Sequence, residues 1–207
     1  NHALQPPLPI TISGRVYEDH DLDNQQDPGD QGLSGVSLTL WKWDGAQYVA
    51  TGKTATTSAT GDYSFTGVLP GKYQVREAQP SGFFSVGATA GTVSGATRGQ
   101  VVSADVIGDI ELLGGDESVR NDFAEARPAS LSGHVYHDRD NDGVLDPGEE
   151  GIRDVTLQIT GIQTLGNTPV SVTVVTNAFG YWEAPNLIPG TYKVVETQPT
   201  PYRDGLD

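Results

Sequence analysis

The chain has 207 residues, of which 12 are basic and 27 acidic, for a formal net charge of −15, and it contains no cysteine. That length accommodates one or two domains, either able to bury a core. The acidity argues against nucleic acid and anionic membrane as partners, and the missing thiols exclude disulfides, zinc–thiolate sites and thiol catalysis.

The chain has no methionine and begins Asn1-His2-Ala3, which points to a segment of something longer. No apolar run approaches the roughly 18 residues of a membrane span; with the acidic charge, no direct membrane contact is expected. Residues 1–8 read as an extended lead-in. Ile10, Ile12, Gly14 and Val16 then alternate with polar residues, the period-2 mark of a half-buried strand. Val36, Leu38 and Leu40 predict a second strand, with Ser37, Thr39 and Trp41 on its other face. Asp44-Gly45 is a hairpin signal leading into a third strand at about 46–57. Gly61–Phe65 reads as a short strand, Leu69-Pro70-Gly71 as a turn, and Tyr73, Val75 and Glu77 as one face of the next strand. Residues 80–100, rich in Gly, Ser, Thr and Ala, predict a long loop or irregular edge. Val101–Leu113 and Val119–Phe123 supply the last two strands. No stretch sustains a 3.6-residue period, and short strands with Gly/Pro turns predict an all-β antiparallel sandwich.

Between the strands stands one motif with chemical content. From Asp138 to Glu149, acids occupy positions 1, 3, 5 and 9 of a twelve-residue loop, with Gly143 at 6 and Glu149 at 12. This is the ligand spacing of an EF-hand calcium loop. A hard cation takes six to eight oxygens at about 2.3–2.6 Å, and alternate residues of a tight loop can aim carboxylates at one centre. Position 7, Val144, would contribute only its backbone carbonyl. Without a cation such acids repel by roughly 1 kcal/mol per close pair even in water. Asp19, Asp21, Asp23, Asp27 and Asp30 repeat the pattern upstream, with Gln25 at position 7 and Asn24 in the glycine's place. Asn is the residue that best tolerates φ > 0 after Gly. Asp30 is one methylene shorter than Glu149. The expected ligand sets are therefore Asp19, Asp21, Asp23, Gln25, Asp27 and Asp30, and Asp138, Asp140, Asp142, Val144, Asp146 and Glu149, with at least one calcium ion per repeat.

The two loops belong to an internal repeat. A shift of 119 residues superposes 13–83 on 132–202 without a gap, with 24 identities in 71 positions. Two tandem domains follow, 9–126 and 128–207. The second reaches only the counterpart of Ala88, so it is expected to lack whatever answers to residues 89–126. The linker Glu125–Ala129 is short and holds Pro128, which favours a semi-rigid, end-to-end arrangement of neighbouring repeats.

The string Gly-x-Val-Tyr-x-Asp-x-Asp-x-Asp…Asp-Pro-Gly-x-x-Gly, followed by a β-rich run and Pro-Gly-x-Tyr-x-Val-x-Glu, resembles the B-type repeats of serine-aspartate-repeat surface proteins, the SdrD B-like domains. It resembles more distantly the collagen-adhesin B-type domains, which have a prealbumin-like sandwich. The resemblance implies bacterial, extracellular proteins, cell-surface or secreted, in which such modules form calcium-stiffened stalks projecting a binding region. It carries the loop carboxylates over onto the acids named above. Some collagen-adhesin B-type domains join a first-strand lysine to a last-strand asparagine with help from a buried glutamate. Glu77 and Glu196 stand where that glutamate would be, but Lys42, Lys53, Lys72 and Lys193 are the only lysines and none is on a first strand. The two glutamates are then expected to be hydrogen-bonded structural acids or supplementary cation ligands.

Other candidate chemistry is sparse. Trp41 and Trp43, with Tyr48 across the hairpin, offer either an exposed platform for a glycan, a host protein or a matrix protein, or a cross-strand structural cluster. His2, His20, His134 and His137 lack metal-ligand spacing. Asp105, Asp109, Glu111, Asp116 and Glu117 form a second acidic group, either a solvated face or the source of an additional calcium ligand. No serine, histidine and carboxylate set suggests a hydrolase, and no enzymatic activity is expected. The reading is a calcium-stabilised structural module of an adhesin. A glycan- or protein-binding module is the alternative, and a dockerin-like module would need helices flanking the loops.

Overall fold

The structure, a computed structural model, describes residues 5–205. They divide into two compact units between Arg127 and Pro128. In the first unit the strands are β1 (Ile10–Glu18), β2 (Gln31–Gly32), β3 (Ser37–Trp43), β4 (Tyr48–Thr56), β5 (Asp62–Val68), β6 (Gly71–Glu77) and β7 (Phe84–Thr89). They continue with β8 (Thr92–Val93), β9 (Ala96–Thr97), β10 (Gln100–Ser103), β11 (Val106–Leu112), β12 (Glu117–Ser118) and β13 (Asp122–Ala126). The second unit holds β14 (Ala129–His134), β15 (Thr156–Gln163), β16 (Pro169–Val175), β17 (Tyr181–Leu187) and β18 (Gly190–Glu196). Among the described residues there is no α-helix, only a 3-10 turn at Leu165–Asn167, so no helices flank the acidic loops as a dockerin-like module requires.

The first unit packs two sheets face to face. One runs β12-β1-β13-β7, with β2 and β5 also paired to β1; the other runs β10-β11-β6-β3-β4. The alternating residues that predicted the strands fill the space between them: Ile10, Ile12 and Val16 from β1, Leu38 and Leu40 from β3, Tyr73 and Val75 from β6, and Ile107, Ile110 and Leu112 from β11. Three expectations need correcting. The sandwich is not wholly antiparallel, because β1 pairs in parallel with both β12 and β13. The last strands return from the opposite sheet, so no hairpin fixes their direction. Val101–Leu113 is not one strand but the β10–β11 hairpin. And the 80–100 stretch contains a full strand, β7, paired with β13 from Asp122↔Thr89 to Ala126↔Phe84. Its glycine hid it: a Cβ at Gly87 would lie 2.9 Å from the Asn24 side chain, so the strand gives up a side chain to let the acidic loop approach.

The two units share one local architecture around their loops. Gly32 sits against the turn at 60–61 so closely that a Cβ would lie 1.9 Å from the Thr60 carbonyl oxygen; at Gly151 it would lie 2.0 Å from that of Phe179. The Val16 amide donates to the Gly61 carbonyl, and the Leu33 amide to the Val16 carbonyl, at 2.9 and 2.8 Å; Val135, Gly180 and Ile152 repeat both bonds at the same distances. Buried Thr57 accepts from the Val36 amide and donates to the Leu33 carbonyl, and Thr176 does the same for Val155 and Ile152. These contacts clamp the exit of each acidic loop to the sheet.

The second unit pairs β14 with β17 and packs that pair on β16-β15-β18, around Val135, Val155, Leu157, Ile159, Trp182, Ala184 and Leu187. In the first unit β11 covers the outer edge of β6, and Val75 there is 0% exposed. Its counterpart Val194 on β18 is 38% exposed, because among the described residues β18 pairs with β15 alone. Overpacking a close backbone contact costs about 1–3 kcal/mol. Gly151→Ala is therefore expected to lower the stability of the second unit by that amount in urea denaturation; an unchanged midpoint would contradict the clamp.

Candidate functional site

Each acidic loop leaves the end of a first strand and wraps its own first acid. Asp19 is 0% exposed. Its Oδ1 accepts the Leu22 amide at 2.8 Å and its Oδ2 the Asn24 amide at 2.7 Å. In the second loop Asp138 accepts from Asn141 at 2.6 Å and from Gly143 at 2.9 Å. Position 12 closes both loops in the same way. Asp30 accepts the amides of His20 and Asp27 at 3.2 and 2.9 Å, and Glu149 those of Arg139 and Asp146 at 2.7 and 3.1 Å. The shorter aspartate thus reaches the partners that the glutamate reaches. Position 6 needs a left-handed backbone, and φ is +60° at Asn24 and +80° at Gly143. Asn24 also donates from Nδ2 to the Ala88 carbonyl at 3.2 Å, anchoring its loop on β7, while its Oδ1 is buried without a partner.

The carboxylates converge, though not all in one set. Asp19, Asp21 and Asp23 each bring an oxygen within 4.8 Å of the others; so do Asp138, Asp140 and Glu149, and Asp140, Asp142 and Asp146. Asp27 and Asp30 belong to no such set, but their charges, with those of Asp21 and Asp23, bear on one another: burial and then these neighbours hold the Asp27 carboxyl above its usual range. Asp140 is raised chiefly by the Asp142 charge, whereas the amides of Gly143 and Asn141 hold Asp138 below the usual range. At position 7, the Gln25 side chain turns back to donate to Asp23 Oδ2 at 3.0 Å, and Val144 is 56% exposed. The donor chemistry fits a hard cation. All the acids offer oxygen, and ligands of one calcium ion lie at most about 5 Å apart when each bond is about 2.3–2.6 Å.

The histidines do not complete these sets. His20 Nδ1 lies 3.4 Å from Asp30 Oδ1, and His137 Nδ1 lies 3.1 Å from Glu150, outside the predicted ligands. His134 packs on the Tyr181 ring, and His2 lies outside the described residues. The acids at 105–117 divide among different surroundings. Asp109 binds Lys72 and the Tyr48 hydroxyl, Asp116 accepts the Leu113 amide, and Glu111 and Glu117 are exposed. Trp41 and Trp43 are half-buried instead of forming an open platform. The Arg76 guanidinium lies 3.8 Å over Trp41, Lys72 Nζ lies 5.4 Å over Trp43, and Tyr48 packs edge-on against Trp43 at 5.2 Å.

Asp105 has different company: it is half-buried and makes a trio with buried Glu77 on β6 and buried Glu125 on β13. Burial pushes the Glu77 carboxyl up to about 9, with Glu125 and Asp105 adding to the shift, and pushes Glu125 up to about 7. Sequence reasoning singled out Glu77 and Asp105 separately and missed Glu125, whose one signal is an acid inside the otherwise apolar run Phe123-Ala124-Glu125-Ala126. No lysine lies on β1 or β14.

The family model of the SdrD B-like domain matches residues 10–121 and 129–205. The chain belongs to that family. It is 31% identical to serine-aspartate repeat-containing protein C of Staphylococcus aureus (strain N315) over 89% of this chain and 18% of that protein. It is also 31% identical to serine-aspartate repeat-containing protein D of strain Newman, over 92% of this chain and 14% of that protein. The chain thus spans less than a fifth of the length of these relatives. A looser likeness, 15% identity and TM-score 0.42, covers 95% of this chain and 56% of the streptococcal ancillary pilin. As a member of that family the chain is located outside the cell, at the bacterial surface. Among the described residues, no helix is long and apolar enough to cross a membrane.

The trio sets a pH dependence. Glu77 and Glu125 hold protons more tightly when folded than at the ordinary 4.5. Folding therefore takes up protons from about 4.5 up to about 9, and stability falls as pH rises through that window. In chelator, the denaturation midpoint of the first unit is expected to fall between about pH 5 and pH 9, and Glu77→Gln to flatten the fall and stabilise the unit at the alkaline end. An identical slope in the variant would contradict it.

Proposed function

We propose that this SdrD B-like chain is a calcium-stabilised stalk module of a surface adhesin. Asp19, Asp21, Asp23, Asp27 and Asp30 with the Gln25 carbonyl would hold one ion, and Asp138, Asp140, Asp142, Asp146 and Glu149 with the Val144 carbonyl another. The observation that carries the reading is the recurrence, in two loops of different sequence, of the same amide-to-carboxylate bonds at positions 1 and 12. Each loop is thereby preformed around converging carboxylates. Calcium supplies charge neutralisation and cross-linking of the loop to the strand end. The chain's own part is to hold the acids together: the buried first acid, the left-handed sixth residue and the glycine clamp keep the loop shut at both ends.

The role is mechanical and not catalytic, with neighbouring repeats of the same chain as the immediate partners and a host or matrix protein or glycan as the target of the parent protein. The tryptophan pair is given to the fold, since Arg76 and Lys72 already cover a face of each ring.

An ion at a hundredfold excess over Kd adds roughly 2.7 kcal/mol, which moves the Tm of a domain this small by roughly 10 °C. Scanning calorimetry in millimolar calcium and then in EDTA is expected to show a fall of that size, with the 19–30 and 138–149 loops becoming protease-sensitive in EDTA. Equal melting temperatures in both conditions would sink the proposal.

A further inference from the structure

In the first unit three carboxylates from three separate elements meet away from the acidic loop. They are Glu77 at the end of β6, Asp105 in the turn between β10 and β11, and Glu125 on β13, with one oxygen of each within 4.8 Å of the others. Glu125 is 0% and Glu77 8% exposed. Neither oxygen of Glu77 has a hydrogen-bond partner, nor has Oε1 of Glu125. Two other oxygens are served. Gln79 Nε2 donates to Glu125 Oε2, and the Ser85 hydroxyl donates to Asp105 Oδ1 at 2.5 Å. Three oxygens are thus left bare on two buried acids.

Among the described residues no side-chain cation pairs with them: Arg15 binds Asp62, and Arg98 and Arg120 are exposed. Lys72 pairs with Asp109, Lys42 lies over the Tyr73 ring, Arg76 is stacked on Trp41, Arg127 binds Glu18, and Lys53 is exposed. The charges acting on Glu77 are those of Glu125 and Asp105 alone. A buried carboxylate without a donor or counter-charge is strongly disfavoured, so the group needs either protons or a metal ion. The all-oxygen donor set, its spread of less than about 5 Å and its supply from three elements match a hard divalent cation. Half-exposed Asp105 leaves a side open to solvent.

We propose that Glu77, Asp105 and Glu125 form a second calcium-class site in the first unit, separate from the 19–30 loop. An ion there would tie β6 and the β10–β11 turn of one sheet to β13 of the other, bracing the sandwich across its core. The site also adjoins the loop, because the Asp19 amide donates to the Glu125 carbonyl at 2.8 Å. The second unit has no such trio among its described residues, and Glu196, the counterpart of Glu77, is exposed.

The test is to count bound ions on the full chain by native mass spectrometry and isothermal titration with calcium chloride alone. It compares the wild type with Glu77→Gln/Glu125→Gln and with Asp19→Asn/Asp21→Asn. The first variant is expected to lose one ion and keep the loop ions; the second is expected to lose a different one. Loss in the second variant only, or the same count in the wild type and the first variant, would overturn the site without touching the loop proposal. Loss in the first variant only would uphold the site and overturn the first loop. A first variant that is stabilised in EDTA with an unchanged count would mean that the acids merely share protons, which also overturns the site. Should circular dichroism show that the double variant does not fold, Asp105→Asn gives the same reading. Losing even a partner that supports a ligand costs about 10- to 100-fold in affinity, so one site should weaken by at least about tenfold; an unchanged isotherm would overturn the proposal.

Discussion

Carboxylates held within 4.8 Å of one another repel, and this repulsion is the constraint to which the chain answers at three places. At the acidic loops the backbone answers first. Asp19 and Asp138 take two and three amides respectively, and Asp30 and Glu149 take two each. Those bonds serve the acids at positions 1 and 12, although burial still lifts the Asp19 carboxyl above its usual range, and leave positions 3, 5 and 9 with acids that still face their neighbours. Asp140, lifted by Asp142, shows the residue of repulsion that the backbone does not remove. The Glu77 trio is the opposite case, since no amide serves its bare oxygens and burial has to be offset by protons or by an ion.

On the proposed reading, a bound ion would take the part that a disulfide plays in other small extracellular domains. A disulfide stabilises by closing a loop that the unfolded chain leaves open, and a carboxylate cage closed on a cation does the same between position 1 and position 12. The proposed calcium cage would differ in being reversible and dependent on ion concentration. The glycine clamp carries that closure into the sandwich: Gly32 and Gly151 bring the loop exit onto the neighbouring turn, where a side chain has no room.

What was legible in the sequence was local. Period-2 alternation located β1, β3 and β6, and the 1-3-5-9-12 spacing located both loops, because each signal is written within a dozen residues. The repeat showed that the two loops were versions of one device, including the Asn24-for-Gly exchange at a left-handed position. What was missed depends on residues far apart in the chain. β7 was hidden by Gly87, whose role is to admit Asn24, 63 residues earlier in the numbering. The parallel pairing of β1 with β13 joins the two ends of the unit. Asn121 reads as an ordinary polar residue, yet its backbone fills the space beside Gly14 and its side chain bonds Ser13, Ser118 and Gly91. Glu125 became visible as a partner of Glu77 only once β6 and β13 were placed together.

Crystals grown in calcium and measured for anomalous scattering test the central claim most directly. The account predicts one peak at each acidic loop, bonded at about 2.3–2.6 Å to Asp19, Asp21 and Asp23 in the first and to Asp138, Asp140 and Asp142 in the second. Loops with the same closed backbone but without an anomalous peak, their acids bridged by water alone, would contradict it.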